Sequence, residues 1–314
     1  MKVAIFNDTS TAGHFGCDVV MDVLRQAVNL RGGEIIYCCP VGRDWRASRR
    51  AMEAIEAAAV VIVNGEGSVH HSQREAWSLA ALGPYCAAAG KPGYLVNVSL
   101  EANHEAIMAD LLAFRRIYVR DSASRAEIMA FGGEAGIVGD LSFGCALPPW
   151  STSTGKPVVV DSVVKQNLPK LARMADRLEA DFVSMKYAKG GAAFAKRRWF
   201  GGYSVKRRCP LAGISNSMEF AGYIGRHSYV ITGRYHALCF AINMGVPVSI
   251  MRSNAGKSEA LLLDAGLNPN RIIIEAQPPE MQPYSDAEKT SMAAFLSATR
   301  AAREKMFNAI IAAD

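Results

Sequence analysis

Short runs of β-branched and other apolar residues alternate along this chain with stretches whose apolar residues recur at helical spacing. A short, wholly apolar run suits a strand covered on both faces, and a helix between successive strands makes them parallel. Lys2–Phe6, Glu34–Cys38, Val60–Val63, Gly93–Val98, Ile117–Val119 and Ala135–Val138 read as strands. Cys17–Leu30, Ala47–Ala58, Arg74–Ala89, His104–Phe114 and Ala123–Phe131 read as the helices between them. In the first helix Val20, Val23, Leu24, Ala27 and Val28 share one face, and Arg31-Gly32-Gly33 ends it. The expected fold class is α/β, with parallel sheets covered on both faces.

The pattern breaks at Leu147–Pro157, where Pro, Ser, Thr and Gly dominate as in a linker. A second alternating half follows, with strands over Val158–Asp161, Phe182–Met185, Tyr229–Ile231, Pro247–Met251 and Arg271–Ile274. Its helices are Leu168–Leu178, Ser217–Arg226, Tyr235–Met244 and Ser258–Ala265, and Asp286–Ile311 forms a long amphipathic tail. The 314 residues suit two domains at about 100–200 residues each. We expect one Rossmann-like domain over 1–147, a boundary within Pro148–Lys156, a second Rossmann-like domain over 157–283, and a helix over 284–314 packing back toward the first. In such a pair the ligand belongs in the cleft between the domains, at the carboxyl ends of the strands.

Half of the residues are hydrophobic and 20% are charged, which excludes a disordered chain. No run approaches the ~18 apolar residues that span a bilayer. The first apolar run is short and Asp8 closes it, so no signal peptide is read and a cytoplasmic location is expected. Seven cysteines without a C-x-x-C pair argue against a disulfide scaffold or a zinc ribbon. The net charge of +6 is uneven: no acid lies between Asp181 and Glu219, where Lys186, Lys189, Lys196, Arg197, Arg198, Lys206, Arg207 and Arg208 all fall. That run points to an anionic partner or to a solvated loop.

Three loops leave strands with chemistry-bearing residues. In Thr232-Gly233-Arg234-Tyr235-His236-Ala237 a strand runs into a helix, whose free N–H groups make an anion site. Arg234 adds a guanidinium fork and His236 a group able to move protons. Asn64-Gly65-Glu66-Gly67-Ser68 is a glycine loop, though neither a Walker A nor a dinucleotide fingerprint, and His70 and His71 beside it make a poor metal pair. The loop from Asn7 to Asp18 is long for its place and carries His14 and Cys17. Cys17, near a helix start, reads first as packing, with a lowered thiol pKa as the alternative.

Taken together these pieces resemble the polysaccharide pyruvyltransferases, which move a pyruvyl group from phosphoenolpyruvate onto a sugar as a ketal. The matching residues are His14-Phe15-Gly16-Cys17-Asp18, Asn64-Gly65-Glu66-Gly67-Ser68, Tyr118-Val119-Arg120-Asp121-Ser122, Val138-Gly139-Asp140, Thr232-Gly233-Arg234-Tyr235-His236-Ala237, Met244-Gly245-Val246-Pro247-Val248 and Lys257, in family order over residues 3–275. The chain departs from the family at His-Phe-Gly-Cys-Asp, where many members have Asn-x-Gly-Asp, and at Gly-Glu-Gly, where others have Gly-Gly-Gly. The family is similar in fold to the two-Rossmann glycosyltransferases of GT-B type, which implies a donor side in the second domain and an acceptor side in the first.

The resemblance implies phosphoenolpyruvate, with about three negative charges, as the donor, bound by Thr232, Gly233, Arg234, Arg120 and Lys257. Protonation of C3 and attack by a hydroxyl at C2 require one proton donor and one acceptor. His236 takes one role, with His14 or Glu66 as its partner and Arg234 stabilising charge. Gly65, Gly67, Ser68, His70, Arg197, Arg198 and Trp199 are assigned to a saccharide or lipid-linked saccharide acceptor, with a peripheral contact at the inner face of a membrane. No metal is expected, because the acids of the strand-exit loops have no Asp-x-Asp spacing and the histidines no i, i+4 pair; no cofactor and no nucleic-acid partner are expected either. A nucleotide-sugar glycosyltransferase and a non-catalytic binder of anionic glycan remain as alternatives.

Overall fold

The computed structural model describes residues 1–147, 151, 155–187, 214–253, 256–274 and 277–311. They fall into two compact units: Met1–Ala12, Val20–Gly144 and Ser297–Asp314 form unit 1, and Gly13–Val19 with Cys145–Leu296 forms unit 2. No helix among the described residues is long and apolar enough to cross a membrane.

Unit 1 is built on six parallel strands: β1 (Lys2–Asp8), β2 (Glu34–Pro40), β3 (Val60–Asn64), β4 (Gly93–Val98), β5 (Arg116–Val119) and β6 (Gly136–Ile137), in the order β2-β1-β3-β4-β5-β6. Val3–Phe6 pairs in register with Val60–Val63. Every residue of β3 and β4 is buried, as expected for central strands covered on both faces. Five helices of the described residues lie in this half, α2 (Arg49–Ala57), α3 (Arg74–Ala80), α4 (Leu82–Ala88), α5 (Glu105–Leu111) and α6 (Ser122–Ala130), and a sixth, α1 (Phe15–Leu30), starts in unit 2 and enters unit 1 at Val20. The single helix expected over Arg74–Ala89 is two, α3 and α4, meeting at Ala81. Pro84 has no N–H to give to the carbonyl of Ala80, so one continuous ladder cannot pass it.

Unit 2 holds β7 (Pro157–Ser162), β8 (Asp181–Val183), β9 (Tyr229–Gly233), β10 (Val248–Met251) and β11 (Ile272–Ile273), all parallel, in the order β11-β10-β9-β7-β8. Among its described residues the helices are α7 (Leu168–Arg177), α8 (Ser217–Ile224), α9 (Tyr235–Met244) and α10 (Lys257–Asp264). Nearly all of α9 is buried, and it stops at Gly245, whose φ of 79° lets Val246 N–H return to Ala241 O at 2.9 Å. The final helix, α11 (Asp286–Ile311), starts in unit 2 and its residues from Ser297 belong to unit 1. Its start is held by a buried pair, with Arg271 Nε and Nη2 on the Glu288 carboxylate at 2.7 and 3.0 Å. Burial alone would raise the Glu288 carboxyl, yet Arg271 and the N–H groups of Asn268 and Ser285 hold it down at about 2.

Arg120 is 1% exposed inside unit 1, with Nη1 on Asp140 at 2.9 Å and Nε on the Ser99 hydroxyl at 3.0 Å. Ser99 in turn donates to Asp121, which caps α6 through Ser124 N–H at 2.8 Å. Removing one partner of such a pair strands a buried charge. Arg120→Met should therefore cost about 3–5 kcal/mol in urea unfolding, while the double variant R120M/D140L recovers much of the loss. A single variant as stable as the wild type would show that the pair is not structural.

Candidate functional site

In each sheet the strand order reverses beside the first strand, between β1 and β3 in unit 1 and between β7 and β9 in unit 2. Such reversal points open a crevice at the carboxyl ends of the strands, where α/β proteins place ligands.

At the reversal in unit 1, Asn7 lies one residue before the end of β1 and Asn64 ends β3, and both are buried. Asn7 Nδ2 donates to Asn64 O at 2.6 Å and to the Ser68 hydroxyl at 3.1 Å, and Asn97 Nδ2 donates to Asn64 Oδ1 at 3.2 Å. Asn7 and Asn97 hold φ of 63° and 58°, a left-handed backbone that asparagine tolerates better than most residues. The Glu66 carboxylate accepts from the Thr9 hydroxyl at 2.6 Å and from Asn64 Nδ2 at 3.3 Å. Gly65 is required where it stands, because a Cβ there would overlap the Val98 side chain. His70 lies buried beside this loop, in a bridge with Glu101.

At the reversal in unit 2, Asp161 near the end of β7 receives Arg234 from the exit of β9. Nε and Nη2 both lie 2.7 Å from the carboxylate, and the guanidinium is buried. The Ser184 hydroxyl and Met185 N–H, leaving β8, also reach Asp161 at 2.7 and 3.3 Å. The fork that the sequence assigns to a donor thus pairs with Asp161 through Nε and Nη2. Thr232 is wholly buried, its hydroxyl accepting from Arg234 N–H at 2.9 Å, and a Cβ on Gly233 would overlap Ser162. Thr232 and Gly233 shape the turn that presents α9.

The loop from Gly13 is laid along the exit of β8. Phe15 N–H donates to Met185 O at 3.1 Å and Tyr187 N–H to Gly13 O at 3.0 Å, with His14 bridged to Lys186 between them. Phe15 stacks on Phe220 at 4.6 Å, and the Ser217 hydroxyl donates to Phe15 O. This brings the His14 ring to 5.5 Å from that of His236 in the first turn of α9. Gly16 makes the approach possible, since a Cβ there would overlap Cβ and Cγ of His236. One ligand atom each of His14, Cys17 and His236 lie within 4.8 Å of one another. Gly16 N–H, which can only donate, lies 3.1 Å from His14 Nδ1, so Nδ1 accepts and Nε2 of the neutral ring carries the hydrogen. The trio is therefore one lone pair short of a three-ligand metal site as it stands.

Charge gathers at the same place. Burial lowers the His14 pKa well below 6.5, and His236, Arg234, Lys186 and Lys257 lower it further. Lys257 begins α10 with its ammonium 5.8 Å over the ring of Tyr235. Of the expected donor residues, Arg234 and Lys257 are together here, whereas Arg120 belongs to the interior of unit 1, enclosed by its own pair with Asp140. Arg197, Arg198 and Trp199 lie outside the described residues, as does the rest of the basic run after Lys186. The sequence reading passed over Asp161, whose signal was an acid closing the run Val158-Val159-Val160, and Asn97, a polar residue inside an apolar strand.

A buried histidine of lowered pKa makes stability depend on pH. The unfolded chain binds a proton near pH 6.5 and the folded chain does so only lower. Its contribution is complete above pH 6.5 and is lost as pH falls toward the folded value, at up to about 1.4 kcal/mol per pH unit. His14→Gln should flatten that slope in urea titrations below pH 6.5; an unchanged slope would assign it to another group.

The fold has solved counterparts. UDP-GlcNAc 2-epimerase from Neisseria meningitidis, bound to UDP-GlcNAc, is 12% identical, with a TM-score of 0.51 over 98% of this chain and 94% of that one. A Listeria monocytogenes protein provisionally described as a UDP-N-acetylglucosamine 2-epimerase is 13% identical, with a TM-score of 0.54 over 98% and 90%. These likenesses establish a GT-B-like fold of two parallel-sheet domains. A comparison with curated proteins gave no match. The family model for polysaccharide pyruvyl transferase matches residues 14–254, a span that holds His14, Glu66, Arg120, Arg234 and His236. The chain is an enzyme of the polysaccharide pyruvyl transferase family.

Proposed function

We propose that the site in unit 2 binds phosphoenolpyruvate and passes its pyruvyl group to two hydroxyls of a saccharide or lipid-linked saccharide, forming a ketal. The observation that carries this reading is the convergence of Arg234, Lys186, Lys257 and two imidazoles at the start of α9. Phosphoenolpyruvate is small and densely anionic, and fixed cations with helix N–H groups are what such a ligand requires.

The two histidines then have different work. His14, neutral and with Nε2–H outward from its Gly16 bond, donates a hydrogen bond to a carboxylate or phosphate oxygen. His236 moves protons. C3 of the enol takes a proton, C2 becomes electrophilic, and a sugar hydroxyl forms the first C–O bond as its proton is removed. The C–O bond to phosphate breaks, the cations hold the departing anion, and the second hydroxyl closes the ring while its proton leaves with phosphate. No resident metal or cofactor enters this scheme. For the saccharide we assign Gly65, Gly67, Ser68 and His70 of unit 1, with Glu66 holding that loop through Thr9 and Asn64.

Calorimetry tests the donor. Phosphoenolpyruvate should bind without a metal, and Lys257→Met should weaken it about tenfold or more, the loss of one charge-assisted bond worth roughly 1.5–3 kcal/mol. A thermal shift with nucleotide sugars and none with phosphoenolpyruvate would transfer the site to a glycosyltransferase reading.

Gly16→Ala tests His236. The new methyl displaces the ring, so turnover should fall by about 10²-fold or more, as positioned proton transfer is typically worth 10²–10⁴-fold. Full turnover in a folded Gly16→Ala protein would remove His236 from the chemistry.

A further inference from the structure

Cys17 stands in the first turn of α1, where aligned N–H groups favour a negative charge. A ring nitrogen of His14 and one of His236 lie within 4.8 Å of its sulfur. The two rings are not equivalent toward it. Gly16 N–H occupies His14 Nδ1, which leaves His14 a donor at Nε2, so His236 is the ring able to take the thiol proton. The other charged groups at this locus are Arg234, Lys186 and Lys257, with Asp161 already paired to Arg234 and Asp18 next in the chain. At three described cysteines elsewhere burial prevails: it raises the thiols of Cys38 and Cys39, in spite of Arg25 and Arg43 beside them, and pushes that of Cys86 up to about 12.

We infer that Cys17 is an electrophile-reactive thiolate, selective for small reagents that carry a carboxylate or phosphate, and that capping it closes the donor site. The inference rests on the donor reading above for its last clause only. In the step itself the thiol proton passes to the His236 ring and the sulfur attacks the carbon that bears the leaving group. For a haloacetate the C–S bond forms as the carbon–iodine bond breaks, and iodide departs.

The test is alkylation of the intact protein by iodoacetate and, separately, by iodoacetamide, with peptide mapping of the label. Mapping separates Cys17 from Cys209, which lies outside the described residues. An isolated thiolate repels iodoacetate, so the neutral reagent is the faster one there. At Cys17 iodoacetate should be faster, on the order of tenfold at low ionic strength, because the surrounding cations concentrate an anion. Added salt should shrink that preference, as should the variant K186M/K257M, in which the iodoacetate rate falls by more than the iodoacetamide rate. Equal rates, or iodoacetamide faster at Cys17, would overturn the inference. Phosphoenolpyruvate should slow the labelling. Undiminished labelling in its presence, with the iodoacetate preference intact, would uphold the thiolate and overturn phosphoenolpyruvate as the occupant.

Discussion

Three strand exits in unit 2 converge on one carboxylate. Asp161 takes both arms of the Arg234 fork, the Ser184 hydroxyl and Met185 N–H, so that β7, β8 and β9 end against a common centre. A buried carboxylate needs its charge opposed and its lone pairs filled, and here both conditions are met from neighbouring strands. The consequence is positional. Met185 and Tyr187 are held where the Gly13–Phe15 loop can pair with them, and Arg234 is held where α9 must begin. His14 and His236 then meet because their backbones have been placed from opposite sides of the same pair.

The geometry also decides what each imidazole can do. A backbone N–H has no acceptor capacity, so its approach to His14 Nδ1 is a statement about tautomer and not only about distance. Burial, and after it the surrounding cations, keep that ring neutral, and a neutral ring with its far nitrogen protonated donates without adding a charge that would repel Arg234 or Lys257. His236 is left with the proton chemistry. Unit 1 meets the same problem with asparagines in place of charges: Asn7, Asn64 and Asn97 join the ends of three strands through amides, which supply donor and acceptor together. The left-handed backbone at Asn7 and Asn97 is the strain accepted for turning those side chains inward.

Much of the frame was legible along the chain. The strand and helix sequence follows from runs such as Val60–Val63 and from the stripe of Val20, Leu24 and Ala27, and Tyr235–Met244 is helical over the same residues in both readings. Strand ends were read short at Phe6, Val63 and Ile231, because Asn7, Asn64 and Thr232 are polar and lack a strand's apolar pattern. Those added residues are the ones that carry the site. A helix was read through Pro84 because its apolar spacing continues past the proline.

The α/β class, the two parallel sheets, the strand-exit loops and the membership of a transferase family are legible along the chain, since these rest on periodicity and local order. Tertiary structure alone decided the pairings. Arg120 pairs with Asp140 and not with its neighbour Asp121, because a buried guanidinium is satisfied by whichever carboxylate the sheet brings in line with it. Arg234 is positioned by Asp161, a residue 73 positions away, and Cys17 gains His236 from the far half of the chain. Charge pairing and proton affinity depend on distances through space, and spacing along the chain carries no record of them until the sheets have formed.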